Sequence, residues 1–124
     1  MSVKVAVRVR PFNPREKELK CQNVVEMQNP TTRLKAFNGE AQKDFTFDFS
    51  FWSFDEFETT PEGVMKPTSS GKYADQDKVY NALGKMVLDN AWQGYHCCLF
   101  AYGQTGSGKS YSMIGYGPNK VKMN

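Results

Sequence analysis

Apolar and polar residues alternate at the start of the chain, and this pattern predicts a β-strand over residues 2–10. Every second position is a valine, and the positions between are lysine, alanine or arginine. The valines are Val3, Val5, Val7 and Val9. Pro11 should end the strand, because proline has no N–H to donate to a ladder. Residues 12–20 are polar and charged, and we expect a loop there.

Short β-type runs continue as far as residue 51. Residues 23–27 and 33–37 predict two strands around a turn at Asn29 and Pro30, and the Asn38-Gly39 pair is a second turn signal. Four phenylalanines then alternate with polar residues: Phe45, Phe47, Phe49 and Phe51. We expect one strand here, with its aromatic row packed in a core or on a sheet.

The middle of the chain loses both periodicities. Residues 57–76 are rich in Pro, Gly, Ser and Thr, which is typical of a long surface loop. The acidic residues around its start are expected to be solvated, because nothing nearby indicates a catalytic carboxylate pair. They are Asp55, Glu56 and Glu58.

A helix is predicted over residues 77–93, where five apolar residues recur at helical spacing. They are Val79, Leu83, Met86, Val87 and Ala91. Asp75 or Asp77 can cap its start, and Gly94 suits its exit. We expect the side chains of Met86 and Trp92 to lie in the core.

The most informative stretch is residues 103–110, which fit the phosphate-binding pattern G-x-x-x-x-G-K-[ST]. An accidental match in a chain of this length has a chance of about four in a thousand, so the match is treated as a signal. The apolar run 97–102 before it predicts a strand buried on both faces, as in the centre of a parallel sheet. About one helical turn, residues 111–114, should follow before Gly115. A glycine-rich surface turn would not explain these neighbours.

Each residue type in this loop has a chemical reason. Backbone N–H groups wrapped around a triphosphate bind its charge, and glycines let the backbone approach the oxygens. Lys109 should place its ammonium on the β- and γ-phosphates, and the Ser110 hydroxyl should bind Mg²⁺. The predicted nucleotide-binding residues of the loop are Gly103, Gln104, Thr105, Gly106, Ser107, Gly108, Lys109 and Ser110.

Composition narrows the function classes. The chain has 124 residues and a net charge of +3, and its basic residues are spread along the sequence, which gives no nucleic-acid footprint. Three cysteines, two of them adjacent, indicate neither a disulfide framework nor a zinc site, and we expect them to be small buried side chains in a reducing cytosol. They are Cys21, Cys97 and Cys98. The sequence shows no signal peptide and no apolar run of membrane-spanning length, so we expect a soluble intracellular protein with no membrane span.

Five segments together resemble the N-terminal part of a kinesin motor domain, in that family's order. They are residues 5–11, 47–52, 79–80, 94–95 and 100–113. The Phe-Ala-Tyr-Gly-Gln-Thr-Gly sequence at residues 100–106 is far more specific than the bare phosphate-loop pattern. Residues 45–53, with Ser110 and Tyr111, are similar to class three kinesins, which carry vesicles.

The resemblance implies a fold and a nucleotide site. The fold is α/β, of P-loop NTPase type, with a central mixed sheet, flanking helices and a small antiparallel N-terminal lobe that includes residues 23–37. Residues 1–124 would be an incomplete portion of it. Arg8, Arg10 and Pro11 match the family's adenine-contacting signature, and Tyr111 matches a ring on the opposite face of the base. Guanidinium and aromatic planes can sandwich a purine.

The resemblance also implies an activity and partners. These are ATP hydrolysis coupled to movement along microtubules, with ATP or ADP and Mg²⁺ as cofactors, in the cytoplasm on the cytoskeleton. Contacts with tubulin would come from regions beyond this chain, and contacts with vesicle cargo from a tail.

The family's switch segments also lie beyond these 124 residues, so no catalytic residue is assigned and the isolated chain is expected to be inactive as an ATPase. Two hypotheses remain at this point: the front piece of a microtubule motor, or a nucleotide-binding or interaction fragment without turnover. A nucleoside or adenylate kinase is disfavoured, because those enzymes usually carry the phosphate loop after their first strand.

Overall fold

The computed structural model describes residues 3–36 and 42–115. The chain divides into two compact units, Met1–Asp55 and Glu56–Asn124. The predicted turn at Asn38-Gly39 lies outside the described residues.

Among its described residues, the first unit contains two small sheets. A parallel pair joins β1 (Ala6–Val9) to β5 (Phe49–Trp52), and Arg8 lies opposite Phe51. An antiparallel sheet has the order β2-β3-β4, with β2 at Val25–Gln28, β3 at Thr31–Lys35 and β4 at Gln42–Thr46. The predicted strands on either side of the Asn29-Pro30 turn are therefore confirmed.

The prediction of a single strand containing the four phenylalanines is wrong. It breaks at residues 47–48, so that β4 pairs with β3 whereas β5 pairs with β1. At the break the Asp48 carboxylate accepts the Val5 N–H at 2.7 Å. Phe45 is 43% exposed and Phe51 is 4% exposed. Period-two alternation cannot reveal such a break, since the two strands keep the same phase while changing partners.

Residues 12–20 are not the loop that their polarity predicts, because they contain helix α1 (Pro14–Glu18). The Asn13 side chain accepts the Glu16 N–H at 2.8 Å, and the Glu16 carboxylate accepts the Asn13 N–H at 2.9 Å. This is a capping box with proline at the first turn, and both features are legible in the sequence. Charge alone was therefore a poor guide to this segment.

The second unit begins with a hairpin inside the segment predicted to be a long loop. β6 (Phe57–Thr59) pairs with β7 (Met65–Pro67) in antiparallel register. Tyr73 is only 2% exposed, and its ring centroid lies 5.2 Å from that of Phe57. The loop prediction is wrong for these residues, because tertiary contacts give order to a stretch that has no periodicity of its own.

The predicted helix is present, and it is interrupted near its start. α2 (Gln76–Val79) leads into a π-helical turn (Tyr80–Gly84) and then α3 (Lys85–Trp92). Asp75 caps it by accepting the Lys78 N–H at 2.8 Å, and Gly94 leaves it with a φ of +93°. The expectation of a buried Trp92 is wrong, because this side chain is 89% exposed.

The apolar run 97–102 is not a strand in the structure. It has no regular structure and is exposed throughout; Phe100 is 84% exposed. All three cysteines are also exposed, with free thiols, so the prediction of buried cysteines is wrong. A central strand needs neighbours to take up its backbone hydrogen bonds and cover its side chains. Within the described residues of this unit, no strand pairs with the run.

Helix α4 (Lys109–Ile114) closes the described part of the unit, and Gly115 ends it as predicted. No helix among the described residues is long and apolar enough to cross a membrane.

Candidate nucleotide-binding loop

The glycines of the loop take conformations that side chains would hinder. Gly106 and Gly108 have φ values of +83° and +101°, in the left-handed region that glycine tolerates best. A Cβ at Gly103 would overlap the Ser107 hydroxyl. The loop closes on itself through the Ser107 N–H, which donates to the Gln104 carbonyl at 3.0 Å. This backbone path therefore requires the spacing of glycines in the motif.

Lys109 lies at the start of α4 and turns back into the loop. Its ammonium donates to the Gly103 carbonyl at 2.6 Å, and the side chain is half-buried. An ammonium has three N–H donors. In the described part of the chain the other two have no partner, so they remain able to bind an anion. A Lys109 side chain enclosed in an apolar interior would have contradicted the phosphate-loop interpretation. The observed side chain is only half-buried and is not enclosed in this way.

Ser110 follows on the first turn of α4 and is exposed. A single hydroxyl is a weak site on its own, but Mg²⁺ in nucleotide sites commonly keeps several waters and takes further oxygens from the phosphates. Among the described residues no group of three His, Cys, Asp or Glu side chains could hold a metal ion. The donor set fits a magnesium ion that arrives with its nucleotide.

Gln76, a residue far away in sequence, holds the other end of α4. Its side-chain amide donates to the carbonyls of Tyr111 at 3.1 Å and Ser112 at 3.0 Å. The last four carbonyls of any helix lack partners within the helix, and α4 has only six residues. Gln76 therefore caps the helix that carries Lys109 and Ser110. No local pattern in the sequence points to this role.

Arg8 is the first of the residues expected to contact adenine, and it lies in the first unit. Its Nε donates to the Ser53 hydroxyl at 2.9 Å, and Ser53 is 3% exposed. The Ser53 N–H in turn donates to the Val9 carbonyl at 3.0 Å. The Nε of the Arg8 guanidinium is thus held by a buried residue just beyond β5.

Arg10 and Pro11 follow β1 and have a different support. The Arg10 guanidinium binds the Glu16 carboxylate through two nitrogens, Nη1 at 2.6 Å and Nη2 at 3.3 Å. Nη1 also donates to the Pro11 carbonyl at 2.8 Å. The hydrogen bond from Arg10, aided by that from the Asn13 N–H, lowers the pKa of Glu16 below its ordinary value.

The phosphate-loop residues lie close to Tyr111, because the loop leads directly into α4 and Tyr111 is in the first turn of that helix. Arg8, Arg10 and Pro11 form a second group with their own contacts. Three supporting residues, Gln76, Ser53 and Glu16, are not predicted from the sequence. Only Glu16 had a signal, namely its place three residues after Asn13 in a capping box.

Comparisons with known proteins agree on one family. The kinesin motor domain model matches residues 8–122. The chain is 50% identical over 121 residues to kinesin-like protein KIF28 of Rattus norvegicus, covering 96% of this chain and 12% of KIF28. It is 51% identical over 118 residues to human KIF1B, covering 92% of this chain and 6% of KIF1B.

A solved structure gives the same result at the level of fold. It contains a segment of KIF14 with ADP, in complex with a microtubule. The TM-score is 0.77 at 44% identity, covering 96% of this chain and 30% of that chain. This likeness confirms the predicted α/β fold of P-loop NTPase type. The chain therefore spans a small part of each of these proteins, and it belongs to the kinesin motor domain family.

Proposed function

We propose that this chain carries the adenine- and phosphate-binding elements of an ATP-driven microtubule motor. The observation that carries the proposal is the loop at residues 103–110, where left-handed glycines and the inward-turned Lys109 lie within a chain that belongs to the kinesin motor domain family. The ADP and the microtubule in the KIF14 structure support both the ligand and the partner.

In this proposal the loop amides and Lys109 bind the triphosphate, and Ser110 binds Mg²⁺. When bound, the ion would neutralise charge on the phosphates. Tyr111 contacts one face of adenine. The residues that contact the base on its opposite side are Arg8, Arg10 and Pro11. The fixed Arg8 stem and the doubly held Arg10 support this assignment, since rigid side chains lose less entropy on binding.

The finer assignments follow from the same resemblance. We extend the proposal to a class three motor that carries vesicles along microtubules in the cytoplasm, as the resemblance of residues 45–53, Ser110 and Tyr111 implies. The 51% identity to KIF1B is consistent with a motor of the kinesin family. Residues 1–124 are the N-terminal portion of its motor domain, and the remainder of the motor supplies the contacts to tubulin and the groups that position water.

Titration of the 124-residue chain with a fluorescent ATP analogue and Mg²⁺ tests the central step. We expect saturable binding, and at least a tenfold weaker affinity in Lys109→Ala, because a charge-assisted hydrogen bond to phosphate is lost. Lys85→Ala is the matched control, since Lys85 is exposed on α3 in the same unit. Equal affinity in the native chain and Lys109→Ala would refute the proposal.

A further inference from the structure

One carboxylate organises the segment that follows β1. Glu16 Oε1 accepts from Arg10 Nη1 at 2.6 Å and from the Asn13 N–H at 2.9 Å, while Oε2 accepts from Arg10 Nη2 at 3.3 Å. The two side chains are about one third exposed, at 29% for Glu16 and 34% for Arg10. Both carboxylate oxygens are therefore committed to residues that flank Pro11.

The arrangement closes into a ring around Pro11. Arg10 Nη1, which donates to Glu16, also donates to the Pro11 carbonyl at 2.8 Å. The Glu16 N–H in turn donates to the Asn13 side-chain oxygen at 2.8 Å. A guanidinium in a bidentate contact with a carboxylate has one preferred orientation, which a lysine could not reproduce. The backbone at Pro11 is thus fixed from both sides by side chains of its own segment.

Arg8 is held in another way. Its Nε bonds Ser53, which is buried next to β5, so this tether belongs to the sheet and does not pass through Glu16. Removing the Glu16 carboxylate should therefore leave the contact between Arg8 and Ser53 in place and remove the bidentate contact that orients Arg10 beside Pro11.

We propose that Glu16 is a positioning residue for base recognition: without touching the nucleotide, it sets how strongly the chain prefers an adenine nucleotide to a bare triphosphate. This inference rests on the proposed function, because it needs Arg10 and Pro11 to face the base. Its own content is the chain of contacts from Glu16 through Arg10 to Pro11.

The test compares two probes, Mg²⁺ with ATP and Mg²⁺ with inorganic tripolyphosphate, by calorimetric titration of the 124-residue chain. Glu16→Ala removes the carboxylate and both of its contacts. Glu16→Gln keeps an acceptor for the Asn13 N–H, because glutamine also serves in a capping box, but loses the charged pair with Arg10. We expect the ratio of ATP affinity to tripolyphosphate affinity to fall about tenfold in both variants.

Asp44→Asn is the matched control. Asp44 binds Arg33 through two oxygens, at 2.8 Å and 3.2 Å, in the same unit but between β3 and β4. The ratio should be unchanged in this variant. Circular dichroism establishes that each variant is folded; if Glu16→Ala is not, Glu16→Gln carries the test, since it retains the helix cap.

The outcomes separate the two levels of proposal. An unchanged ratio in Glu16→Gln, or an equal fall in Asp44→Asn, would overturn the role of Glu16 while leaving nucleotide binding intact. A native chain that binds neither probe would overturn the proposed function itself.

Discussion

Two short apolar runs of this chain differ in strand pairing and in burial. Strand β5 in the first unit lies in a parallel ladder with β1, and Phe51 within it is 4% exposed. The run 97–102 in the second unit is also apolar but has no ladder, and Phe100 within it is 84% exposed. The difference is one of partners, because the apolar character of the two runs is comparable.

The phosphate loop beside that exposed run is nevertheless well formed. Its contacts are local: Ser107 reaches Gln104 three residues away, and Lys109 reaches Gly103 six residues away. A loop built from contacts this short pays little closure entropy, whereas a strand depends on distant segments for its hydrogen bonds. The shape of this binding loop therefore depends on contacts within six residues, whereas burial of an apolar run depends on a partner strand.

The largest effect that tests this comparison should come from Phe51→Ala. Removing a buried ring loses its transfer free energy and leaves a cavity, so we expect the free energy of unfolding to fall by about 3–5 kcal/mol. Phe100→Ala, the matched change in the exposed run, should alter it by less than about 0.5 kcal/mol. Urea denaturation of both variants measures this. Similar losses for the two would show that residue 100 is buried in solution.

An intermediate effect is expected from Gln76→Met. The change keeps the length of the side chain but removes both donors to the end of α4, so the free energy of unfolding should fall by about 1–2 kcal/mol. Affinity for Mg²⁺ with ATP should weaken as well, because α4 carries Lys109. Gln93→Met, at an exposed position of the same unit, is the control. An effect of equal size there would contradict the capping role.

The smallest effect concerns pH, in the first unit. Hydrogen bonds from Arg10 and Arg33 lower the pKa values of Glu16 and Asp44 below their ordinary values of 4.5 and 3.8. A lowered folded-state pKa means that the stabilisation is fully present above those values and is lost as the pH falls through the folded-state pKa. The native chain should therefore have a higher melting temperature than a Glu16→Gln, Asp44→Asn double variant at pH 6.

That difference should narrow as the pH falls below 4.5 and then 3.8, because the unfolded native chain then binds protons that the folded chain, with its lowered pKa values, binds only at lower pH. Thermal melts followed by circular dichroism at several pH values measure it. A constant difference across this range would contradict the role of the two ion pairs.

The sequence predicted some elements well, and the reasons are local. The hairpin of β2 and β3 has a turn at Asn29-Pro30, and the long helix has its aspartate cap and its exit glycine. Helix α1 carries a legible capping box, but its high charge favours a loop when charge alone is considered. The break between β4 and β5 could not be predicted, since both strands share one alternation and differ only in partner.

The phosphate loop is encoded locally, since the glycine spacing and the lysine define a backbone path that needs only neighbours in the chain. The sequence by itself also carries the family resemblance, which rests on residue identity. In contrast, the burial of each apolar segment and the capping of α4 by Gln76, 35 residues earlier, are visible only in the folded chain. Those outcomes depend on contacts between distant segments, and no local pattern of residue types encodes which distant segment will be the partner.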